Sequence, residues 1–397
     1  MISVKEALDA VENSPLQKIE EEQPLSSALL GNVLAQALIS PFDLPHFDLS
    51  AMDGYAVKFG ETDEFILLEK EITAGNGEEF ILSPGEAVRI FTGAPCPASA
   101  DAIVMQEQTE VVNDRLKVSV SIKSGQNIRR RGEEIKKGEK VLQKGQLLNP
   151  AALGLTANLG IDKLRVYRAP NCGVLTTGDE LSSPGKELTP GKIYDSNSYL
   201  LEAFLSSQNI KNISKAHVPD DLALTKEKIG EALQKHDILL ISGGISVGDY
   251  DFVKEALLDN GVEEIFHKVK QKPGKPLYFG RKDQKFVFGL PGNPASALSN
   301  AYLYVLPLLN RFKGREQLHL ERSKKRSQSD FQKKPGRSQF LKAKFSGQEV
   351  NILEGQGSAM LQSFAESNAL VFLPEESTGI NKGDTVEAID LRSGNIQ

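Results

Sequence analysis

Tryptophan is absent from this 397-residue chain, and cysteine occurs only at Cys96 and Cys172. Two cysteines make neither a disulfide framework nor a zinc motif. Both sit among apolar residues, as buried thiols in a reducing compartment would. The five histidines are equally sparse. His217, His236 and His267 flank expected strands and lack a partnered serine or cysteine motif, which argues against a nucleophile triad. No uncharged apolar run approaches the roughly 18 residues needed to span a bilayer, so no membrane partner is expected. The opening stretch, MISVKEALDAVENSP, is an amphipathic helical pattern with acids rather than a signal peptide. A cytoplasmic location is expected. A net charge of −6 argues against general nucleic-acid binding.

What is present is length, glycine and alternation. A chain this long exceeds one ordinary core, so two to four domains are expected. Residues 1–40 and 141–168 read as an elongated helical module: an N-terminal helix, a second helical segment from Leu25 to Ala37, and a helix capped by Asn149 with Pro150 at its first position. Residues 41–140 read as an inserted β-rich domain, with prolines and glycines punctuating short strands such as Glu86–Phe91, Ala102–Met105 and Leu116–Ile122. Residues 169–312 alternate strand and helix, the pattern of a doubly wound α/β domain whose ligands bind at the carboxyl ends of the strands. Strands are expected at Cys172–Thr176, Ile213–Val218, Ile238–Ile241, Glu264–Val269 and Phe286–Gly289. Residues 313–397 read as a linker and a small C-terminal β-barrel. The stretch Arg311 to Arg337 carries ten Lys/Arg against three Asp/Glu, which reads as a solvated connector.

The loops expected at the strand ends carry the chemistry. HDILLISGGISVGDYDF, residues 236–252, is a buried strand followed by adjacent glycines and two carboxylates. Glycines there permit torsions closed to other residues and let a ligand approach the main chain. Ser242, Gly243, Gly244, Ser246 and Gly248 are candidate contacts to a phosphate ester, and Asp251 follows them. TTGDEL contributes Asp179 and Glu180, PDD contributes Asp220 and Asp221, and PGNP contributes Pro291 and Asn293. Lys272 and Lys275, stiffened by prolines, suit an oxyanion or a pyrophosphate. Taken singly, Asn293-Pro294 reads as a helix cap and Asp220-Asp221 as another. Together, acids beside an anion site imply a bridging divalent cation, and hence metal-assisted phosphate-ester chemistry. In the inserted domain, PHFDLSAMDGYA is turn-rich, and Arg129-Arg130-Arg131 stand beside Glu133 and Glu134.

At these residues the chain resembles the molybdopterin molybdenumtransferases and the related C-terminal domain of gephyrin. The resemblance rests on PHFDLSAMDGYAV, RIFTGAPCPASADAIVMQE, SGQNIRRRGEEIKKGE, TTGDEL, IYDSN, SGGISVGDYDFVK, KPGKPL and GLPGNPASA, in one order across residues 41 to 300. It implies a four-domain homodimer that takes adenylylated molybdopterin and molybdate, cleaves the pterin–AMP pyrophosphate with Mg²⁺, and releases AMP and molybdenum cofactor. It implies a cleft between the α/β domain of one subunit and the inserted domain of the other. Molybdopterin adenylyltransferase and molybdoenzymes are the further partners it implies. Its functional acids fall on Asp53, Glu180, Asp220 or Asp221, and Asp251, with Glu180 and Asp251 on the metal. Its threonine falls on Thr92, its lysines on Lys272 and Lys275, and the acid after RRRG on Glu134. In the tail, a molybdate-linked serine falls on Ser358. A tail arginine of the family is replaced here by Lys342, with Arg337 nearby as a substitute; lysine lacks the bidentate fork suited to an oxyanion.

Two other readings stand beside this one. Adenylyl transfer onto molybdopterin requires the α/β portion alone and leaves some 250 residues without a role. A gephyrin-like scaffold predicts a retained fold with decayed acids, whereas Asp53, Glu180 and Asp251 are all present.

Overall fold

The computed structural model describes residues 1–62, 64–75, 77–245 and 252–394. The chain is a mixed α/β multidomain protein that divides into two compact units. The first comprises Met1–Glu22, Gly31–Ala35 and Arg165–Gln397, and the second Gln23–Leu30 and Gln36–Leu164.

The first unit begins with the helix Val4–Asn13. Ser3 and Glu6 close a reciprocal capping box: the Glu6 N–H donates to Ser3 Oγ (3.2 Å), and the Ser3 N–H donates to Glu6 Oε2 (2.7 Å). Such a cap is worth about 0.5–2 kcal/mol. Val4, Ala7 and Val11, at helical spacing, are buried. The unit's first sheet has the order Ile213–Val218, Cys172–Thr177, Ile238–Ser242, Lys285–Leu290, Tyr278–Lys282, Glu263–His267. The first four strands are parallel, and the last two run antiparallel to their neighbours. Cys172–Thr177 is buried at every position, as a strand covered on both faces must be. Val174, Leu240 and Phe288 pack into one core, Leu175, Leu239 and Val287 into another. Because Cys172–Thr177 pairs with Ile213–Val218 on one side and Ile238–Ser242 on the other, the chain reverses direction across the sheet there. That is the switch point where such folds open a crevice.

The C-terminal sheet closes on itself. Ser338–Ser346 pairs with Glu349–Ile352 and with Ala369–Leu373, and the ring is completed through Arg322–Ser327 and Thr385–Asp390. The result is a five-stranded barrel around Leu341, Ala343, Val350, Val371 and Val386. The short strand Gln271–Lys272 of the α/β domain adds to its edge beside Ser338–Gln339.

The second unit holds a six-stranded sheet in the order Ala102–Met105, Gly54–Val57, Glu86–Ile90, Glu64–Ile72, Arg115–Val118, Thr109–Val112. Cores lie on both of its faces. The helix Pro150–Asn158 is capped as its sequence predicts, with the Ala152 N–H donating to Asn149 Oδ1 (2.8 Å).

Two expectations fail, and one strand goes unforeseen. Leu25–Ala37 is not a helix: only the 3₁₀ turn Ser27–Leu29 is helical, Gly31 takes φ 77°, and Leu34 bridges to Val166. Its apolar residues are buried, but from an extended chain. The charged stretch 311–337 is not a solvated connector. Arg311 donates to the carbonyls of Val11 and Ser14 (2.7 Å each), and Arg322–Ser327 is a barrel strand on which Arg322, Lys324 and Arg326 are exposed. Lys313 is buried with its ammonium on the Gln208 carbonyl (3.1 Å), and burial pulls its pKa down to about 7. Finally, Tyr278–Lys282 is a strand that the sequence pattern does not announce.

Candidate active site

At the carboxyl ends of Cys172–Thr177 and Ile238–Ser242 lies a cavity of about 570 Å³. Gly243 (φ 99°) and Gly244 (φ 58°) turn the chain out of the second strand. A Cβ on Gly243 would sit 2.6 Å from the Thr177 carbonyl oxygen, and one on Gly244 2.8 Å from Val253 Cγ2. Torsion and space both demand glycine there. Beside them, Asn197 donates its amide to Ser242 Oγ and to the Gly292 carbonyl (2.7 Å each). Thr177 and Asn197 border the cavity, and their Oγ1 and Oδ1 atoms are buried behind its wall without a hydrogen-bond partner among the described residues. Unpaired buried polar atoms cost about 1–3 kcal/mol each, and their presence beside a cavity calls for a functional account.

Glu180 and the main chain of the Gly243-Gly244 turn share this cavity, with Pro291 and Asn293 on its rim. Gly178 (φ 135°) leaves the space over which the Glu180 carboxylate folds. Glu180 is exposed and has no cation within ion-pairing distance among the described residues. Asp220 and Asp179 accept each other's backbone N–H groups (3.3 Å each), while Asp221 caps the helix Leu222–Lys235 through the Leu224 N–H (2.8 Å). Of the two aspartates, Asp221 is therefore spent on the helix. Neither lines the cavity. Ser246, Gly248 and Asp251 lie outside the described residues.

Lys272 is exposed and Lys275 half-buried, on a loop whose Pro276 reaches the cavity. A buried network braces this loop. Gln271 Nε2 donates to Asn300 Oδ1 (2.7 Å) and to the carbonyls of Pro273 (3.2 Å) and Gly274 (3.3 Å), and Tyr304 donates its hydroxyl to Gln271 Oε1. Tyr304 sits in a π-helical turn, Ala301–Val305, inside the long helical segment that starts at Pro294. Such turns cluster at functional sites.

Asn293 holds the N-cap position before Pro294, as its sequence suggests, but its side chain makes no capping bond. Its amide instead donates to Ser358 Oγ (3.0 Å), and the Ser296 N–H donates to the Ser358 carbonyl (3.1 Å). A barrel loop is thereby docked on the cavity, and Ala359 joins its lining. Lys342 is buried in the barrel, its ammonium hydrogen-bonded to the carbonyls of Gly355 (2.6 Å), Gly357 (3.2 Å) and Met360 (2.9 Å). Arg337 is exposed, one residue before Ser338, which pairs with Gln271.

In the second unit, Asp53 and Thr92 form a compact pair. Thr92 donates both its N–H (2.7 Å) and its hydroxyl (2.9 Å) to Asp53 Oδ1. These two bonds, the backbone one foremost, hold the exposed Asp53 carboxyl below the usual carboxylate range. Gly54 follows because a Cβ there would overlap the Val104 carbonyl. The three arginines of RRRGEE are all paired: Arg129 with Glu133 (2.8 Å) and Glu134 (3.4 Å), Arg130 with Asp48 (2.6 Å), and Arg131 with Asp43 (2.8 Å). They brace a loop, and Glu134 is exposed at its end. Cys96 is half-buried, and burial pushes its thiol up to about 11; Cys172 is fully buried and raised further.

The sequence places Thr177 and Asn197 in strand-end segments without marking either for a role, and gives no sign of Gln271, Asn300 or Tyr304. Asn197 follows a strand end and lies in IYDSN, which was a usable signal; the Gln271 network joins residues about 30 positions apart and left none. No group of three His, Cys, Asp or Glu able to hold a metal occurs among the described residues. Of the two carboxylates that line the cavity among the described residues, Asp195 accepts from Thr176 Oγ1 and the Ser198 N–H while Glu180 makes no ion pair, so an oxygen-seeking cation fits at Glu180 as one ligand among substrate oxygens.

Comparison with known proteins agrees with this geometry. Residues 2–160 match the MoeA N-terminal region (domain I and II), residues 173–311 a probable molybdopterin binding domain, and residues 324–391 the MoeA C-terminal region (domain IV). The molybdopterin molybdenumtransferase of Haemophilus influenzae is 38% identical over 366 residues, covering 89% of this chain and 90% of that protein. The protein of that name from Staphylococcus epidermidis is 32% identical over 408 residues, covering 100% and 97%. The structure of a molybdopterin biosynthesis MoeA protein from Pyrococcus horikoshii superimposes with a TM-score of 0.85 at 32% identity, covering 98% of this chain and 99% of that one.

Proposed function

The chain belongs to the molybdopterin molybdenumtransferase family, and we propose that it inserts molybdate into adenylylated molybdopterin. The pterin–AMP pyrophosphate is cleaved with Mg²⁺, and AMP and molybdenum cofactor are released. The observation that carries this reading is the cavity at the sheet's switch point, bordered by Glu180, Asn197 and a double-glycine turn, with Thr177 Oγ1 and Asn197 Oδ1 buried beside it without partners among the described residues. A pterin phosphate ester is the ligand such a cavity takes. Glycine lets its phosphates approach the main chain.

The residues divide the work. Lys272 and Lys275 stabilise charge on the departing phosphate. Asp53, kept ionised by Thr92, and Glu134 are the acids of the inserted domain. Glu180, with Asp251, would hold Mg²⁺, which neutralises pyrophosphate charge when bound. Ser358 and Asn293 form the oxyanion-facing edge. The protein works as a homodimer in the cytoplasm, receiving its pterin from an adenylyltransferase and passing the product to molybdoenzymes. No helix among the described residues is long and apolar enough to cross a membrane.

Incubation of purified protein with adenylylated molybdopterin, Mg²⁺ and molybdate tests the reading. AMP and molybdenum-loaded cofactor should appear together. Formation of the adenylylated pterin from ATP and molybdopterin, without AMP release, would favour the adenylyl-transfer alternative.

A further inference from the structure

Lys342 is 3% exposed, and no carboxylate forms an ion pair with it among the described residues. Its ammonium has three protons, and three carbonyl oxygens meet it: Gly355, Gly357 and Met360, at 2.6, 3.2 and 2.9 Å. The main chain of the same residue grips the same loop. The Lys342 N–H donates to Gln356 Oε1 (2.9 Å), and Gln356 Nε2 donates to the Lys342 carbonyl (2.8 Å). Five hydrogen bonds thus tie one barrel residue to the segment 355–360. That segment carries Ser358, bonded to Asn293 and Ser296, and Ala359, which lines the cavity.

We propose that Lys342 is a positioning residue: it holds the 355–360 loop on the α/β cavity and does not itself contact the oxyanion. A buried ammonium whose protons are all donated to carbonyls has none left for a ligand, and withdrawing it would strand three acceptors. A compact ammonium suits this cage, whereas a planar guanidinium with its fixed fork does not. The cations left to an incoming oxyanion are the exposed Lys272 and Arg337 and the half-buried Lys275. This inference rests on the reading of the cavity given above.

Native full-length protein is treated briefly with an amine-acetylating reagent, with and without molybdate, and each lysine is followed by mass spectrometry. Lys342 is expected to stay unmodified in both samples, while Lys272 and Lys275 react freely and are shielded by molybdate. Lys342 modified in the free protein and shielded by molybdate would overturn the proposal. Lys342 protected throughout, with Lys272 and Lys275 indifferent to molybdate, would uphold it while removing those lysines from the anion site. Two variants separate positioning from mere burial. Lys342→Met and Lys342→Arg should both lose about tenfold or more in kcat/KM for molybdate, with faster amide exchange confined to residues near 355–360. Full activity in Lys342→Arg beside an inactive Lys342→Met would mean that positive charge, not the cage, is what matters there.

Discussion

The Asn293 amide lies 3.0 Å from the Ser358 hydroxyl, joining the rim of the α/β cavity to a loop of the barrel. Asn293 heads a helical segment, yet its side chain makes no capping bond. Asn293→Ala should therefore cost at most one neutral hydrogen bond, about 0.5–1.5 kcal/mol, or a few degrees in Tm. Its kcat/KM for molybdate should fall about tenfold or more. A large drop in Tm with kinetics intact per folded molecule would return Asn293 to a helix-capping role.

Thr177→Val removes a hydroxyl that has no partner among the described residues. Its removal relieves a buried unpaired group, so thermal unfolding should be unchanged or raised slightly. The loss should appear when substrate binds, as a roughly five- to thirtyfold weaker affinity for the adenylylated pterin, the range of a 1–2 kcal/mol hydrogen bond. Unaltered pterin binding, measured by fluorescence titration, would place the ligand elsewhere.

The Asp53–Thr92 pair sets a pH dependence. Its folded-state pKa is lowered, so whatever the pair contributes is present above the ordinary carboxylate pKa and fades as pH falls through the lower folded value. Thr92→Val keeps the backbone N–H but removes the hydroxyl bond. Asp53 should then protonate at higher pH, and the acidic limb of the kcat/KM profile should move upward. A profile unmoved in Thr92→Val would show that Asp53 is not the group titrating there.

Tyr304→Phe tests the brace beneath the lysine loop. It leaves Gln271 Oε1 buried and unpaired, at a cost of about 1–3 kcal/mol. Tm should fall by several degrees, and the molybdate KM should rise as the Lys272–Lys275 loop loosens. A stability loss without a change in KM would mean that the network supports the fold alone.

Much of this molecule is legible in its sequence wherever the signal is local. Asn149-Pro150 starts a helix, the apolar run before Gly243 is a buried strand, and the amphipathic pattern near the N-terminus is the helix Val4–Asn13. What escapes is decided by contacts distant in sequence. The apolar spacing in 25–37 reports burial truthfully but not helix, because Leu34 meets Val166. Asn293 carries the sequence of a cap and serves as a bridge to Ser358, 65 residues on. The resemblance suggests that Lys342 stands where the family has an arginine, but only the barrel's folding shows its ammonium enclosed by the 355–360 loop. The sequence sets Arg129 to Arg131 beside Glu133 and Glu134, but the partners of Arg130 and Arg131 are Asp48 and Asp43, more than 80 residues earlier.

The central claim is that chemistry on the pyrophosphate takes place in the α/β cavity beside Glu180. Its most direct measurement is the rate of AMP release from adenylylated molybdopterin in the presence of Mg²⁺ and molybdate, comparing the parent chain with Glu180→Gln. Glu180 is exposed and has no cation partner among the described residues, so the variant should melt at the parent's temperature. It should nonetheless release AMP about 100-fold more slowly or worse, the scale on which losing a catalytic acid or its metal is felt. An unchanged rate of AMP release in Glu180→Gln would contradict the account.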